Sequence, residues 1–172
     1  MKTLRKQKGV RPTTGKVREA LFDILRSRME NARFLDLYAG TGAVGINALR
    51  EGAAGVAFVE GNKGHVKKIR DLLEKHHVSD RATILNQKAI SFITRAAEQD
   101  MTFDIIFLDP PYHTDELIHA LSAIGRSAII KQNGIVIAEH FTKKTLPDRF
   151  DRLHKVKDYH YGDSVLSLFE AE

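Results

Sequence analysis

Three glycines of this 172-residue chain have a spacing that suits nucleotide binding. Gly40, Gly42 and Gly45 fit the pattern G-x-G-x-x-G, after a short apolar run and before a segment of helix-forming composition. Such glycines, here with Thr41 between them, allow a tight turn and a close approach of the backbone to a ligand. Glu60 follows the next apolar run, 20 residues after Gly40, where a carboxylate can accept both hydroxyls of a ribose. The pattern predicts a site for a nucleotide-containing ligand.

Asp36 bears on the identity of that ligand. It lies four residues before Gly40 at the end of the apolar run, where its carboxylate would face the ligand and hold an ammonium group, directly or through water. S-adenosylmethionine carries such an ammonium group and NAD does not. The glycine pattern alone leaves both ligands open, whereas a Walker-type phosphate loop is excluded because Ile46 rather than lysine follows Gly45. Asp36 therefore favours S-adenosylmethionine.

A second group of residues with chemical potential, Asp109-Pro110-Pro111-Tyr112, follows the apolar run 103–108. Two successive prolines fix φ and have no N–H, so the loop is stiff and its carbonyls lack local donors. Asp109 and the carbonyl of Pro110 can then accept the two hydrogens of an exocyclic amine, while Tyr112 stacks on the ring that bears the amine. The loop predicts a catalytic site for an amino-bearing ring.

Alternating strands and helices must bring these two loops together. Apolar runs predict strands at 34–39, 55–60, 82–85, 103–108 and 134–138, and helical spacing predicts helices at 14–29, 43–51 and around 66–73, 90–97 and 117–124. The tail predicts two antiparallel strands, 151–157 and 164–169. Strands that are apolar on both faces and alternate with helices imply a mostly parallel sheet with helices on both faces, a Rossmann-like α/β sandwich. In such a sheet the fourth strand lies beside the first, so the two loops border one crevice.

Composition excludes several classes of chemistry. The chain has no cysteine, which removes disulfides, thiolate zinc sites and every mechanism with a cysteine nucleophile, and its eight histidines form no ligand cluster, so we expect no metal. Apolar residues at 42% and charged residues at 28% are typical of a globular domain. No apolar run approaches the ~20 residues of a membrane span, and the basic start lacks the apolar centre of a signal peptide, so we expect a cytoplasmic protein.

Basic residues are concentrated at the start of the chain. Seven of them, and no acidic residue, occur in the first 18 positions, and the net charge of the whole chain is +5. Lysine and arginine displace counterions from phosphate backbones, so this charge favours a polyanionic partner. Arg11, Lys16 and Arg18 are the candidates for phosphate contacts, with simple solubility of a helix start as the alternative. We expect a basic arm at 1–12 and one domain at 13–172.

The motif Asp109-Pro110-Pro111-Tyr112, downstream of the glycine motif, resembles that of the amino-methyltransferases that modify adenine N6 or guanine N2 with S-adenosylmethionine. Four further segments narrow the resemblance: Arg11-Pro12-Thr13-Thr14, and the segments 17–22, 35–42 and 161–164. Together they are similar to the bacterial family that methylates guanine N2 in 16S ribosomal RNA at the position numbered 966. The resemblance extends from Arg11 to about Phe169, nearly the whole chain.

The resemblance implies a methyltransferase fold, S-adenosylmethionine as cofactor, and 16S ribosomal RNA as partner, free or within a partly assembled small subunit. It implies that Thr13 and Thr14 close over the cofactor, while the proposed RNA contacts of Arg11, Lys16 and Arg18 follow from their charge. Because Lys88 cannot accept from the adenine amine of the cofactor, that contact is expected from the Ala89 backbone or from the amide of Asn86 or Gln87. The expected cofactor residues are Thr13, Thr14, Asp36, Tyr38, Gly40, Thr41, Gly42, Glu60, Asn62, Lys88 and Ala89.

The predicted reaction is an in-line methyl transfer from sulfonium to an exocyclic amine, with no metal and no covalent intermediate. A duplex buries such an amine, so the target base is expected to be unpaired or extruded. The same chemistry on adenine N6 in DNA or RNA, or on a protein glutamine, is an alternative, because the loop alone does not identify the acceptor. An NAD-dependent oxidoreductase and a non-catalytic RNA-binding module are alternatives of other classes.

Overall fold

A computed structural model describes residues 14–172, so the expected basic arm at 1–12, with Arg11, and the expected cofactor residue Thr13 lie outside the described residues. In chain order the helices and strands are α1 (Gly15–Leu25), β1 (Arg33–Asp36), α2 (Ala43–Arg50), β2 (Gly55–Val59), α3 (Lys63–Lys75), β3 (Ala82–Leu85), α4 (Ala89–Glu98), β4 (Phe103–Leu108), α5 (Glu116–Arg126), β5 (Ile130–Phe141), β6 (Arg149–Phe150), β7 (Leu153–Tyr161) and β8 (Ser164–Ala171). None of the helices within 14–172 is long and apolar enough to cross a membrane.

The eight strands form one sheet in the order β3-β2-β1-β4-β5-β8-β7-β6. The first five strands of that order pair in parallel, and the last three join the sheet antiparallel. The chain runs outward from β1 to β3 and then crosses back, so that β4 pairs with the other side of β1. The predicted α/β sandwich is confirmed, and β1 and β4 flank the point where the strand order reverses.

Two hydrophobic clusters cover the faces of the sheet because successive strand residues point to opposite sides. Phe34 of β1 belongs to the cluster that α1, α2 and α3 cover, and the adjacent Leu35 belongs to the cluster that α4 and α5 cover. Both residues are fully buried. The central strands are therefore apolar on both faces, which is why they read as continuous apolar runs in the sequence.

Several predicted boundaries were wrong at their ends. Helix α1 ends at Leu25 rather than near position 29, because a 3-10 turn, Arg26–Arg28, follows it. Strand β5 begins before position 134 and runs on to Phe141, since its last residues pair with β8. The expected C-terminal strand pair is present as β7 and β8, and the two-residue strand β6, which the sequence did not indicate, joins it.

Gly45 is needed for the contact between α2 and β2. A Cβ atom at this position would lie 2.2 Å from the Phe58 ring, which is fully buried. That separation is far inside van der Waals contact, so α2 approaches the sheet as closely as it does only because residue 45 has no side chain. Since α2 follows the glycine turn directly, this contact also holds the turn in place.

We expect Gly45→Ala to lower the free energy of unfolding by about 1–3 kcal/mol, because the added methyl overpacks a fully filled core. Gly15→Ala is the matched control, because no atom lies within 4 Å of the Cβ it would add. That variant should be as stable as the wild type, or more stable by up to about 1 kcal/mol. Urea unfolding followed by circular dichroism measures both. Equal midpoints for Gly45→Ala and the wild type would contradict the packing role.

Candidate active site

The glycine turn connects the end of β1 to the start of α2. Gly40 and Gly42 have φ of 53° and 80°, a left-handed conformation that strongly favours glycine. The Gly42 amide donates to the Ala39 carbonyl at 2.8 Å and closes the turn. Thr41 is exposed, and its hydroxyl accepts from the Ala43 amide at 3.4 Å. The turn therefore presents backbone and one hydroxyl at the carboxyl edge of the sheet.

Glu60 binds the turn from the neighbouring strand end. One oxygen of its carboxylate, Oε2, accepts from the Gly40 amide at 2.7 Å, and the other, Oε1, accepts from the Asn62 amide at 2.9 Å. His65 Nδ1 lies 3.5 Å from the same Oε1. A carboxylate has about four lone-pair sites, so these bonds leave capacity for further donors. The predicted contact of Glu60 with ribose hydroxyls stays a prediction, and its position beside Gly40 agrees with it.

The loops after β2 and β3 form the adjoining part of this edge. Asn62 caps α3, its side-chain oxygen accepting from the His65 amide at 3.1 Å. The side-chain amide of Asn86 donates to the carbonyl of Glu60 at 2.9 Å and to that of Gly61 at 3.2 Å. Asn86 therefore joins the two loops through its amide hydrogens, which leaves its side-chain oxygen as the acceptor it can offer to a ligand.

Lys88 and Ala89 lie at the start of α4. The Lys88 side chain is exposed and makes no capping bond to the helix. Ala89 is buried, and as the first residue of the helix it carries an amide that no carbonyl within the helix can bind. The predicted backbone contact from Ala89 to a cofactor fits this position, and it remains a prediction.

Asp36 lies beneath the glycine turn and is buried, with 1% exposed. Its Oδ2 accepts from the Gly45 amide at 3.0 Å, so the carboxylate contacts the first turn of α2. Burial raises the pKa of Asp36 to about 7, with a smaller contribution from the nearby negative charge of Glu60, while the Gly45 bond opposes the rise. The structure thus gives Asp36 a bond within the fold, and its predicted contact with an ammonium group is untested.

A hydrogen bond connects the glycine turn to the second loop. The hydroxyl of Tyr38, two residues before Gly40, donates to Oε2 of Glu116 at 2.6 Å. Glu116 is the first residue of α5, which follows the loop that begins at Asp109. Burial and the bond to Glu116 both raise the pKa of Tyr38, so the hydroxyl stays protonated and remains a donor. The two loops are therefore adjacent at one edge of the sheet, as their positions after β1 and β4 predict.

The second loop begins where β4 ends. Asp109 is half-buried, Pro110 is buried and Pro111 is exposed. Thr114 ends the loop, its hydroxyl donating to the Pro111 carbonyl at 2.9 Å. The Tyr112 ring is half-buried, so it is not sealed inside the protein. Its ring centroid lies 3.9 Å from that of Phe141, and the two ring planes are tilted by 37°.

A cleft of about 650 Å³ opens between this loop and the end of β5. Its walls combine the loop, the last residues of β5 and the segment that follows β5. The lining residues are Pro110, Pro111, Tyr112, His113, Thr114, Asp115, Leu117, Glu139, His140, Phe141, Thr142, Lys143, Lys144 and Asp163. A volume of this size accommodates a nucleotide-sized ligand.

The sequence did not indicate the wall of the cleft that β5 supplies. Glu139 and His140 are buried, with 3% and 4% exposed, and Phe141 is half-buried. The predicted strand 134–138 ended before this polar pair, so the sequence assigned the pair no role. The available signal was their position directly after the predicted strand 134–138, the same place that Asp109 has after the predicted strand 103–108.

His140, which also lines the cleft, is part of a chain of polar contacts. Its Nδ1 donates to the Phe141 carbonyl at 2.9 Å, and its Nε2 lies 2.7 Å from the Ser167 hydroxyl. That hydroxyl donates to Asp158 at 2.5 Å. Burial lowers the pKa of His140. The chain of contacts ties the end of β5 to β7 and β8.

The residues predicted to bind RNA are only partly described. Lys16 is exposed and Arg18 is half-buried on α1. Thr14, a predicted cofactor residue, caps that helix, its hydroxyl accepting from the Val17 amide at 3.3 Å. Lys143 and Lys144, which the sequence analysis did not single out, line the cleft. Within residues 14–172, no group of three or more His, Asp or Glu side chains is placed to hold a metal ion.

The chain is similar in sequence and structure to known methyltransferases. The model of a protein family described as conserved hypothetical protein 95 matches residues 1–170. Ribosomal RNA small subunit methyltransferase D of Haemophilus influenzae is 32% identical over 140 residues, 81% of this chain and 71% of that protein. A solved structure from Escherichia coli, described as a methyltransferase candidate named YhhF, is 26% identical with a TM-score of 0.85 and covers 95% of this chain and 88% of that one.

More distant structures share the fold. A SAM-dependent methyltransferase from Agrobacterium tumefaciens has a TM-score of 0.72 at 16% identity, over 95% of this chain and 64% of that one. Together with the Escherichia coli structure, this match confirms the predicted Rossmann-like methyltransferase architecture.

We expect Asp36→Asn to remove a pH dependence of stability. The folded wild type holds a proton on Asp36 up to about pH 7, whereas the unfolded chain releases it near 3.8. The contribution of the protonated carboxyl is therefore fully present below pH 3.8 and is lost as the pH rises through 7. Asn keeps an acceptor for Gly45 and cannot ionise, so its stability relative to the wild type should rise by up to about 4 kcal/mol across that window.

Urea unfolding at pH 4, 5, 6, 7 and 8 measures this difference. Asp71→Asn, an exposed position on α3, is the matched control and should follow the wild type at every pH. Parallel profiles of Asp36→Asn and the wild type would show that Asp36 ionises normally in the folded protein.

Proposed function

This chain belongs to the family described as conserved hypothetical protein 95, and we propose that it transfers a methyl group from S-adenosylmethionine to the exocyclic N2 amine of a guanine in 16S ribosomal RNA. The observation that carries the proposal is the adjacency of two loops with complementary chemistry. The glycine turn and the Asp109 loop leave neighbouring strands at one edge, and the bond from Tyr38 to Glu116 connects them. A methyl donor in one and an amine in the other would meet there.

The residues at the glycine turn fit S-adenosylmethionine by their chemistry. Gly40 and Gly42 let the backbone approach a ligand closely, since both adopt left-handed φ. Glu60 offers a carboxylate for ribose hydroxyls, and the Ala89 amide and the Asn86 oxygen offer a donor and an acceptor for the adenine ring. When bound, this cofactor supplies an electrophilic methyl group on a sulfonium and leaves as a neutral thioether.

Asp109 and Pro110 would act on the amine. The nitrogen is a weak nucleophile because its lone pair is delocalised into the ring. Hydrogen bonds from its two N–H groups to the Asp109 carboxylate and the Pro110 carbonyl favour a pyramidal nitrogen and stabilise the positive charge that develops as the nitrogen–carbon bond forms. The carboxylate can then take the proton that the nitrogen loses. The stiffness of the proline pair keeps both acceptors in position, so little reorganisation accompanies the reaction.

The aromatic wall of the cleft would hold the base. Tyr112 supplies a ring surface, and Phe141 lies against it, so a base either stacks on the face opposite Phe141 or takes the place of Phe141. Such a base must be out of its helix, because the amine of a paired guanine lies inside the duplex.

Support for the RNA comes from the family and from charge. The Haemophilus influenzae relative is named for methylation of small-subunit ribosomal RNA. Lys143 and Lys144 line the cleft and suit the phosphates of a nucleotide whose base enters it. Lys16 and Arg18, and Arg11 outside the described residues, are proposed as further RNA contacts. We propose a partly assembled small subunit in the cytoplasm as the substrate, because the target base must be unpaired or extruded to reach the cleft.

We expect purified protein with labelled S-adenosylmethionine to form N2-methylguanosine in 16S RNA that lacks the modification. Mass spectrometry of nucleosides identifies the product, and parallel reactions use naked 16S RNA, immature small subunits, DNA and a protein extract. Asp109→Ala should lower kcat at least about 100-fold, because it removes an acceptor for the charged nitrogen. Asp71→Ala, an acid on the outer surface of α3, is the matched control and should keep full activity. Absence of N2-methylguanosine in every reaction would overturn the proposal.

We also expect Tyr112→Ala to lower kcat/KM for RNA by about 10- to 100-fold, because loss of the ring removes base stacking worth roughly 1–3 kcal/mol. Tyr112→Phe keeps the ring and should retain most of the activity. Steady-state kinetics with the RNA substrate compares the two variants. Equal losses in both would show that the hydroxyl, rather than the ring, matters.

A further inference from the structure

Glu139 lies beside Asp109 because of the register between β4 and β5. Leu108 pairs with Ala138 in this parallel ladder. Asp109 is the first residue after β4, and Glu139 is the next residue within β5, which continues to Phe141. Neighbouring strands are about 4.8 Å apart. Each acid therefore follows one member of a paired couple on neighbouring strands, at the edge where the proposed reaction takes place.

Glu139 is buried and yet lines the cleft. Only 3% of its surface is exposed, and the cleft walls include it together with Phe141 and Tyr112. A buried carboxylate is costly unless N–H or O–H groups bind it, and its several lone-pair sites can serve more than one donor. A carboxylate in the floor of an open cleft is thus suited to a ligand edge that carries hydrogen-bond donors.

The donor pattern of guanine matches two adjacent carboxylates. On its Watson–Crick edge, guanine carries an N–H at N1 next to the amine at N2, so two neighbouring positions donate. Adenine carries an amine at N6 next to a bare lone pair at N1, so one position donates and the next accepts. An acid that faces N1 would bind guanine and repel adenine.

We propose that Glu139 accepts the N1–H of the target guanine while Asp109 and the Pro110 carbonyl bind its N2 amine, so that Glu139 makes the site specific for guanine. This inference rests on the proposed function. The distribution of charge along the cleft agrees with the orientation of the guanine nucleotide that this proposal requires. The acid is buried in the floor, while Lys143 is exposed in the wall, so that the base edge points inward and the phosphate outward.

Glu139→Gln is the variant that separates recognition from folding. The substitution is close in shape and replaces the carboxyl group by an amide. A glutamine amide can turn its oxygen towards N1–H of guanine or its NH₂ towards a bare N1, so it should accept both kinds of base. Melting temperature and calorimetric binding of S-adenosylhomocysteine check that the variant is folded and keeps its cofactor site.

The test uses RNA in which the guanine that the wild type methylates is replaced by 2-aminopurine. This base keeps the N2 amine and has a bare lone pair at N1. We expect the wild type to show kcat/KM for 2-aminopurine RNA at least about 100-fold lower than for guanine RNA, because the hydrogen bond from N1–H to the carboxyl oxygen is replaced by repulsion between two lone pairs. In Glu139→Gln the specificity ratio, kcat/KM for guanine RNA divided by kcat/KM for 2-aminopurine RNA, should be at least about tenfold smaller than in the wild type. 2-Aminopurine also lacks the oxygen that guanine carries at C6. Both enzymes meet this same difference, so it cancels when their specificity ratios are compared.

Asp163→Asn is the matched control, because Asp163 is a second acid of the cleft wall but is exposed. The specificity ratio of Asp163→Asn for guanine RNA over 2-aminopurine RNA should equal that of the wild type. An unchanged ratio in Glu139→Gln, or equal use of both bases by the wild type, would overturn the role of Glu139 while leaving the proposed function intact. Formation of N6-methyladenosine, or no methylated nucleoside at all, would instead overturn the proposed function and this inference with it.

Discussion

Parallel pairing of β1 with β4 is the contact on which the rest of the site depends. The two strands are far apart in the chain, and they become neighbours because the chain crosses back over the sheet after β3. Asp36 pairs with Phe107 in this ladder, so both strands end at nearly the same level. Each loop then leaves the sheet at the same edge. The hydrogen bond from Tyr38 to Glu116 joins the two loops at that edge.

Two acids next to the glycine turn form hydrogen bonds that stabilise the fold, independently of any ligand. Asp36 accepts from the Gly45 amide and Glu60 accepts from the Gly40 amide, so carboxylates bind both ends of the turn. A turn with left-handed glycines is otherwise loose, because glycine has the most backbone freedom to lose. The bonds shape the turn in advance of ligand binding, and the raised pKa of Asp36 is the electrostatic cost of holding one of these carboxylates out of water.

The antiparallel strands at the end of the chain give the cleft its second wall. Strand β8 pairs with β5 as far as Phe141, three residues beyond the last parallel contact at Ala138. That extension carries Glu139 and Phe141 past the end of β4 and places them opposite the Asp109 loop. A parallel sheet alone would leave this side of the loop facing solvent. The C-terminal strands therefore complete a binding surface rather than only closing an edge of the sheet.

Much of this protein could be predicted from local sequence, because local chemistry determines it. Apolar runs on both strand faces implied a parallel sheet, the glycines implied the turn, and the double proline implied a stiff loop after β4. Glu139, Phe141 and Glu116 could not be found that way, since each acts through a partner on a distant part of the chain. Strand register places Glu139 and Phe141 at the site, and a hydrogen bond to Tyr38 connects Glu116 to it. The sequence by itself determined which elements form and which residues can do chemistry; only the tertiary structure decided which of those residues meet, because strand order and register are set by the packing of the whole sheet.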